Sequence, residues 1–114
     1  MSPPKLCWEN KLSEELAESG ATLRFIGLGT SDKNDDEIIG WYVILARPDG
    51  EHKLLVKQLK YEPRVIKTFA GARALVRQYL PEWKSVTVPI IPSVRAEPEI
   101  WALLDKLNAE KNQN

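Results

Sequence analysis

The chain has 114 residues, 43% hydrophobic and 28% charged, with 16 basic side chains balanced by 16 acidic ones. This is too apolar for a disordered chain and too short for two ordinary domains, so a single domain over residues 1–114 is expected. One cysteine excludes an intrachain disulfide. The longest apolar run, Trp41–Ala46, is too short to span a bilayer, and the polar N-terminus lacks a secretory leader. A cytoplasmic protein with no membrane partner follows as the expectation.

Trp8 to Ser19 reads as a helix, with Trp8, Leu12 and Leu16 on one face and Gly20 where a left-handed stop belongs. Glu14, Glu15 and Glu18 fall on the other faces and are placed in solvent. Ala21 to Thr30 reads as a strand, and residues 31–37 as a polar loop. Ile38 to Arg47 carries the strongest strand signal. Pro48-Asp49-Gly50 supplies a turn, and Glu51 to Lys60 is the returning strand. These three make an antiparallel meander.

Tyr61 to Arg64 breaks the pattern. A helix is predicted from about Lys67 to Leu80, with Thr68 as N-cap and Phe69, Ala72, Val76 and Tyr79 as its apolar stripe. Ser85 to Ile91 is rich in β-branched residues. Pro89 and Pro92 restrict it to an edge strand or an extended connector. The last helix runs from Glu97 to about Leu107, with Ile100, Leu103, Leu104 and Leu107 on its apolar face. Residues 1–7 and 108–114 read as tails.

The fold class is therefore α+β. A three- or four-stranded antiparallel sheet carries a helix after the third strand and amphipathic terminal helices, in the order α-β-β-β-α-(β)-α. Along the central strand Trp41, Val43 and Leu45 point one way, and Tyr42, Ile44 and Ala46 the other. A strand apolar on both faces needs a layer on each side. The helix at 68–80 supplies one. The terminal helices or a second subunit supply the other.

Several motifs are weighed and set aside. Asp32-x-Asn34-x-Asp36 opens like a calcium loop, but Glu37 replaces the required glycine and Val43 the twelfth-position glutamate. Cys7 and His52 are each unique in the chain, with no spacing that assembles a zinc site or an oriented nucleophile. Gly27-Leu28-Gly29 ends a strand without the third glycine or following helix of a dinucleotide site, and reads as a bulge. No catalytic residue, metal site or cofactor is expected.

The charge distribution is more informative. Residues 1–37 hold four basic and eight acidic side chains, residues 38–95 ten and four, and residues 96–114 two and four. The basic middle contains Lys53, Lys57, Lys60, Arg64, Lys67, Arg73 and Arg77 across the third strand, the connector and the helix. Clustered cations favour phosphate contacts because each contact releases condensed counterions. Nucleic acid is therefore the first expected ligand. The alternative is a protein-interaction or inhibitor domain. It would act through the amphipathic last helix, with Trp101 and Leu104 at the contact, or by dimerisation.

The Trp41-Tyr42-Val43 strand, the Asp49-Gly50 hairpin, the basic third strand and the Thr68-Phe69-Ala70-Gly71-Ala72 helix start share a pattern. Residues 41–80 thereby resemble the three-strand-plus-helix DNA-binding modules of integrase arm-binding and plant AP2-type domains. The resemblance implies a sheet laid in the major groove.

Overall fold

The computed structural model describes residues 6–57 and 62–111. It is an α+β fold built on a mixed five-stranded sheet. The strands are β1 (Leu6–Trp8), β2 (Thr22–Gly29), β3 (Ile38–Ala46), β4 (His52–Val56) and β5 (Val65–Ile66). The helices are α1 (Leu12–Ser19), α2 (Phe69–Tyr79) and α3 (Glu97–Lys111). The sheet order is β1-β4-β3-β2, with β5 also pairing β3.

The expected meander forms. β2 runs antiparallel to β3 from Thr22 opposite Ala46 to Gly29 opposite Ile38, and β4 returns with Leu54 opposite Ile44. The turn at 47–50 closes through Gly50 N–H to the Arg47 carbonyl, with Gly50 at φ 92°. That left-handed geometry is what Asp-Gly chemistry supplies.

After Val56 the chain leaves β3 and comes back. Lys57 N–H donates to the Glu62 carbonyl and Arg64 N–H to the Leu55 carbonyl. β5 then rejoins the β3 edge opposite Trp41 and Tyr42.

Two strands were not anticipated. β1 lies parallel to β4, with Cys7 opposite Leu55, where the sequence pattern predicted a tail and the start of a helix. A 3-10 turn at Glu9–Lys11 leads from it into α1. Trp8 consequently packs on the opposite sheet face from Leu12 and Leu16. The helix stop at Gly20 is as expected, at φ 69°. Conversely, the β-branched stretch 85–91 joins no strand pairing and is the extended connector.

The doubly apolar β3 has a helical layer on each side. On one face Trp41, Val43 and Leu45 pack with Leu12 and Leu16 of α1 and Ala72, Leu75 and Val76 of α2. On the other, Tyr42 and Ile44 pack with Ile100 and Leu104 of α3. The chain covers its own sheet. Of the two residues expected at a partner contact, Leu104 is fully buried against the sheet, and Trp101 packs beside it, half-buried, with its indole N–H 3.3 Å from Glu97.

α3 continues to Lys111, past Leu107, where the sequence pattern ended it. Asn108 holds it there. Its amide donates to the His52 carbonyl at 3.0 Å, and its oxygen accepts from His52 N–H at 2.7 Å. The side chain thus pairs with β4 as a neighbouring strand would. Asn108→Ala leaves both backbone groups without partners and is expected to cost about 1–2 kcal/mol, read as a lower urea midpoint at an unchanged slope.

Gly27 and Gly29 show why that edge is glycine-rich. The 91–95 segment crosses the end of β2, where Gly29 N–H donates to the Val94 carbonyl, and Ser93 and Val94 N–H donate to the Gly27 carbonyl. A Cβ on Gly27 would lie 2.8 Å from the Ile91 carbonyl oxygen. The expected bulge is present as a register shift at Leu28/Gly29 opposite Ile38 and Gly40.

Candidate binding surface

The cations singled out from the sequence divide into two groups. Lys53 donates to Glu15 at 2.7 Å, and both side chains are largely shielded, at 14% and 24% exposure. Arg47 approaches the same carboxylate at 3.8 Å. Glu15 is therefore not the solvated residue expected from its helical position. It fastens α1 to the β3–β4 hairpin.

Arg64 Nε donates to Glu9 at 2.9 Å, and Lys57 lies 3.6 Å from Glu62. Lys60 falls outside the described residues. The acidic N-terminal third thus takes up Lys53 and Arg64, and phosphate contact by those two would require breaking their pairs. The remaining three, Lys67, Arg73 and Arg77, are exposed and form no ion pair with a described residue.

The calcium-like loop is occupied from within. The Arg95 guanidinium donates to the carbonyls of Thr30, Asp32 and Asp35 through one nitrogen and approaches that of Lys33 through the other. An arginine side chain thus gathers the loop's carbonyls, while Asp32 and Asp35 side chains cap the loop's own N–H groups at Asn34 and Glu37. Among the described residues no three His, Cys, Asp or Glu side chains group to hold a metal ion.

Cys7 is buried in β1, and burial pushes its thiol up to about 12, helped by nearby Glu15 and opposed by Lys53. The neutral thiol is a poor nucleophile. A disulfide reagent at pH 8 is expected to label no thiol in the folded protein and one per chain in denaturant. Because the folded-state pKa is raised, the thiol's contribution to stability is complete below about pH 9 and is lost as pH rises toward 12. His52 is half-buried, and its Nδ1 has no hydrogen-bond partner among the described residues.

Two concavities flank α2. The larger, about 860 Å³, lies between residues 62–68 and α2. Both the Arg64–Glu9 and Lys57–Glu62 pairs line it, so its charges are mostly internally matched. Tyr42 lines it too, and its pKa is raised by burial first and then by Glu97 and Glu99.

The smaller, about 500 Å³, runs between α2 and the connector 81–88. α2 contributes Phe69, Ala72 and Val76, and the connector contributes Trp83, Val86 and Val88. Arg73, Arg77 and Lys84 also line it, and no acidic residue does. Glu82, although it sits between two lining residues, is not among them.

The large exposed apolar side chains belong to elements that meet beside this groove. Phe69 (61% exposed), Ile90 (73%), Ile91 (60%) and Ile39 (49%) all stand out of the core. Trp41, buried on β3, connects them. Its ring lies 4.9 Å from that of Phe69 at a 46° tilt, and its indole N–H donates to the Pro89 carbonyl at 2.8 Å. Phe69 was expected in the core stripe of α2. It is the first helical residue and stands outside the core, with its ring against that of Trp41. Ile39 is the unpaired residue of the bulge between Ile38 and Gly40. The periodicity of α2 concealed this surface, and the Pro89-Ile90-Ile91-Pro92 run was its one visible signal.

No helix among the described residues is long and apolar enough to cross a membrane. Compared with known proteins, the chain matches no family model, no curated protein and no solved structure.

Proposed function

We propose that this domain is a non-enzymatic module that binds a protein partner through the surface formed by α2 and residues 81–91. The observation that carries this reading is the grouping of Phe69, Ile90, Ile91 and Ile39 on elements that meet at Trp41. Large apolar side chains left exposed on neighbouring elements mark an interaction site more often than chance exposure does. Aromatic and branched side chains held on a rigid base lose little entropy on binding.

The nucleic-acid reading is weaker on this fold. Of its seven cations, three are occupied by carboxylates; of those left unpaired among the described residues, Arg73 and Arg77 border an apolar groove and Lys67 lines the other concavity. Phosphate binding draws its strength from free, clustered cations.

The test is a selection of displayed peptides on the folded domain, with recovered peptides re-measured against a Phe69→Ser/Ile90→Ser variant. Saturable binders that lose at least about tenfold in affinity on the variant are the expected result. Recovery of no binder, or of binders indifferent to both substitutions, rejects the reading. Duplex DNA binding that weakens steeply with salt, and is lost on charge reversal of Arg73 and Arg77, returns the nucleic-acid function in its place.

A further inference from the structure

We infer that the groove between α2 and residues 81–88 takes an acidic amphipathic helical segment of the partner protein. This rests on the protein-binding reading above and specifies what occupies the site. The argument begins with what the groove lacks. Among its lining residues are three cations and no carboxylate. None of Arg73, Arg77 and Lys84 forms an ion pair with a described residue, whereas Lys53, Lys57 and Arg64 all do. This surface has cations available of the kind that Lys53, Lys57 and Arg64 have spent on carboxylates.

Spacing gives the second step. Arg73 and Arg77 are one helical turn apart on α2, about 6 Å along its axis. Carboxylates spaced four residues apart on a partner helix match that interval. Lys84 stands on the connector side, so opposite charge is drawn to both margins of the groove.

Between these margins the lining is apolar. Ala72 and Val76 come from α2, with Trp83, Val86 and Val88 facing them, and Phe69 lies toward one end. A ligand with only charge would leave this surface wet, and one with only apolar groups would leave the cations unmatched. A helix with an apolar stripe flanked by Glu or Asp satisfies both.

The probes are synthetic peptides of about 15 residues, long enough for several helical turns. One has a Leu/Trp stripe flanked by Glu. The second has the same stripe flanked by Lys. The third is a scrambled Glu peptide of identical composition. Binding is read by fluorescence anisotropy at about 50 and about 300 mM salt, which differ in charge screening, and mapped by amide shifts. The Glu peptide is expected to bind saturably, more weakly at the higher salt, with shifts confined to α2 and residues 83–91.

Arg73→Glu/Arg77→Glu is expected to weaken that peptide by at least about tenfold and to reverse the preference toward the Lys peptide. Both arginines are exposed, so the variant is expected to keep the wild-type far-ultraviolet spectrum. Equal binding of the Lys or scrambled peptide, or no binding of the Glu peptide, overturns the inference. So does an oligo(dT) strand that displaces the Glu peptide. Self-association abolished by Arg73→Glu/Arg77→Glu overturns it as well, by assigning the groove to a second copy. If the displayed peptides above still depend on Phe69 and Ile90 while the Glu peptide fails, the protein-binding reading stands and only this occupant falls.

Discussion

Leu104→Ala is expected to lower the unfolding free energy by about 3 kcal/mol, within the usual range for truncating a buried leucine. The side chain is fully buried against β3 and β4 among Ile44, Leu54, Val56 and Ile100. Its loss removes apolar contact and leaves a void that the sheet, held from its other face by α1 and α2, can fill only in part. Leu107 on the same helix is only half-buried, and Leu107→Ala is expected to cost about 1 kcal/mol or less. The contrast matters more than either value. If α3 were a loosely attached segment, the two variants would behave alike, and both would stay near wild type. Urea unfolding followed by tryptophan fluorescence separates the cases, with an unchanged slope as the control on two-state behaviour.

That α3 covers the sheet was half legible in the sequence. The alternation of β3 showed apolar residues on both faces and required two layers, and the Ile100–Leu107 periodicity supplied a helix with a suitable stripe. Nothing local said whether helix and strand meet within one chain. β1 was invisible for a related reason. Leu6-Cys7-Trp8 becomes a strand only because it lies parallel to β4, nearly fifty residues later, and its own pattern is too short to declare itself. The stretch 85–91 misled in the opposite direction. Its β-branched residues favour extended backbone, which it has, but extended backbone is a strand only when a neighbour pairs with it. Here one carbonyl, at Pro89, is satisfied by the Trp41 side chain instead.

Charge was less legible than shape. The basic middle of the sequence is real, yet a local sum cannot show pairings between residues 38 and 55 positions apart, as in Lys53–Glu15 and Arg64–Glu9. Those contacts depend on α1 and the turn at 9–11 folding back over the hairpin. They convert part of an apparent binding surface into a fastening for the N-terminal helix. Of the cations left over, Lys67 precedes α2, and Arg73 and Arg77 stand on it, one turn apart. Lys84 joins them only through the path of the chain beyond Pro81.

Trp41→Ala is expected to cost about 3–5 kcal/mol, and Trp41→Phe about 1 kcal/mol, the loss of one part-buried hydrogen bond. The two separate the stability role of this residue from its role at the surface. Trp41 is 3% exposed and lies in the core with Val43 and Ile66. It is also the point to which both halves of the proposed binding surface are attached, Phe69 through ring contact and residues 89–91 through the Pro89 carbonyl. Phenylalanine keeps the ring contact, in which a tilted aromatic pair contributes about 1 kcal/mol, but releases the connector. Trp41→Phe is therefore expected to remain folded, with amide shifts concentrated at residues 88–92. It is expected to bind the selected peptides several-fold more weakly, because Ile90 and Ile91 must be ordered on binding instead of beforehand. If peptides that depend on Ile90 bind Trp41→Phe as tightly as wild type, the connector is held in place without the indole, and the pre-ordering attributed to Trp41 is wrong.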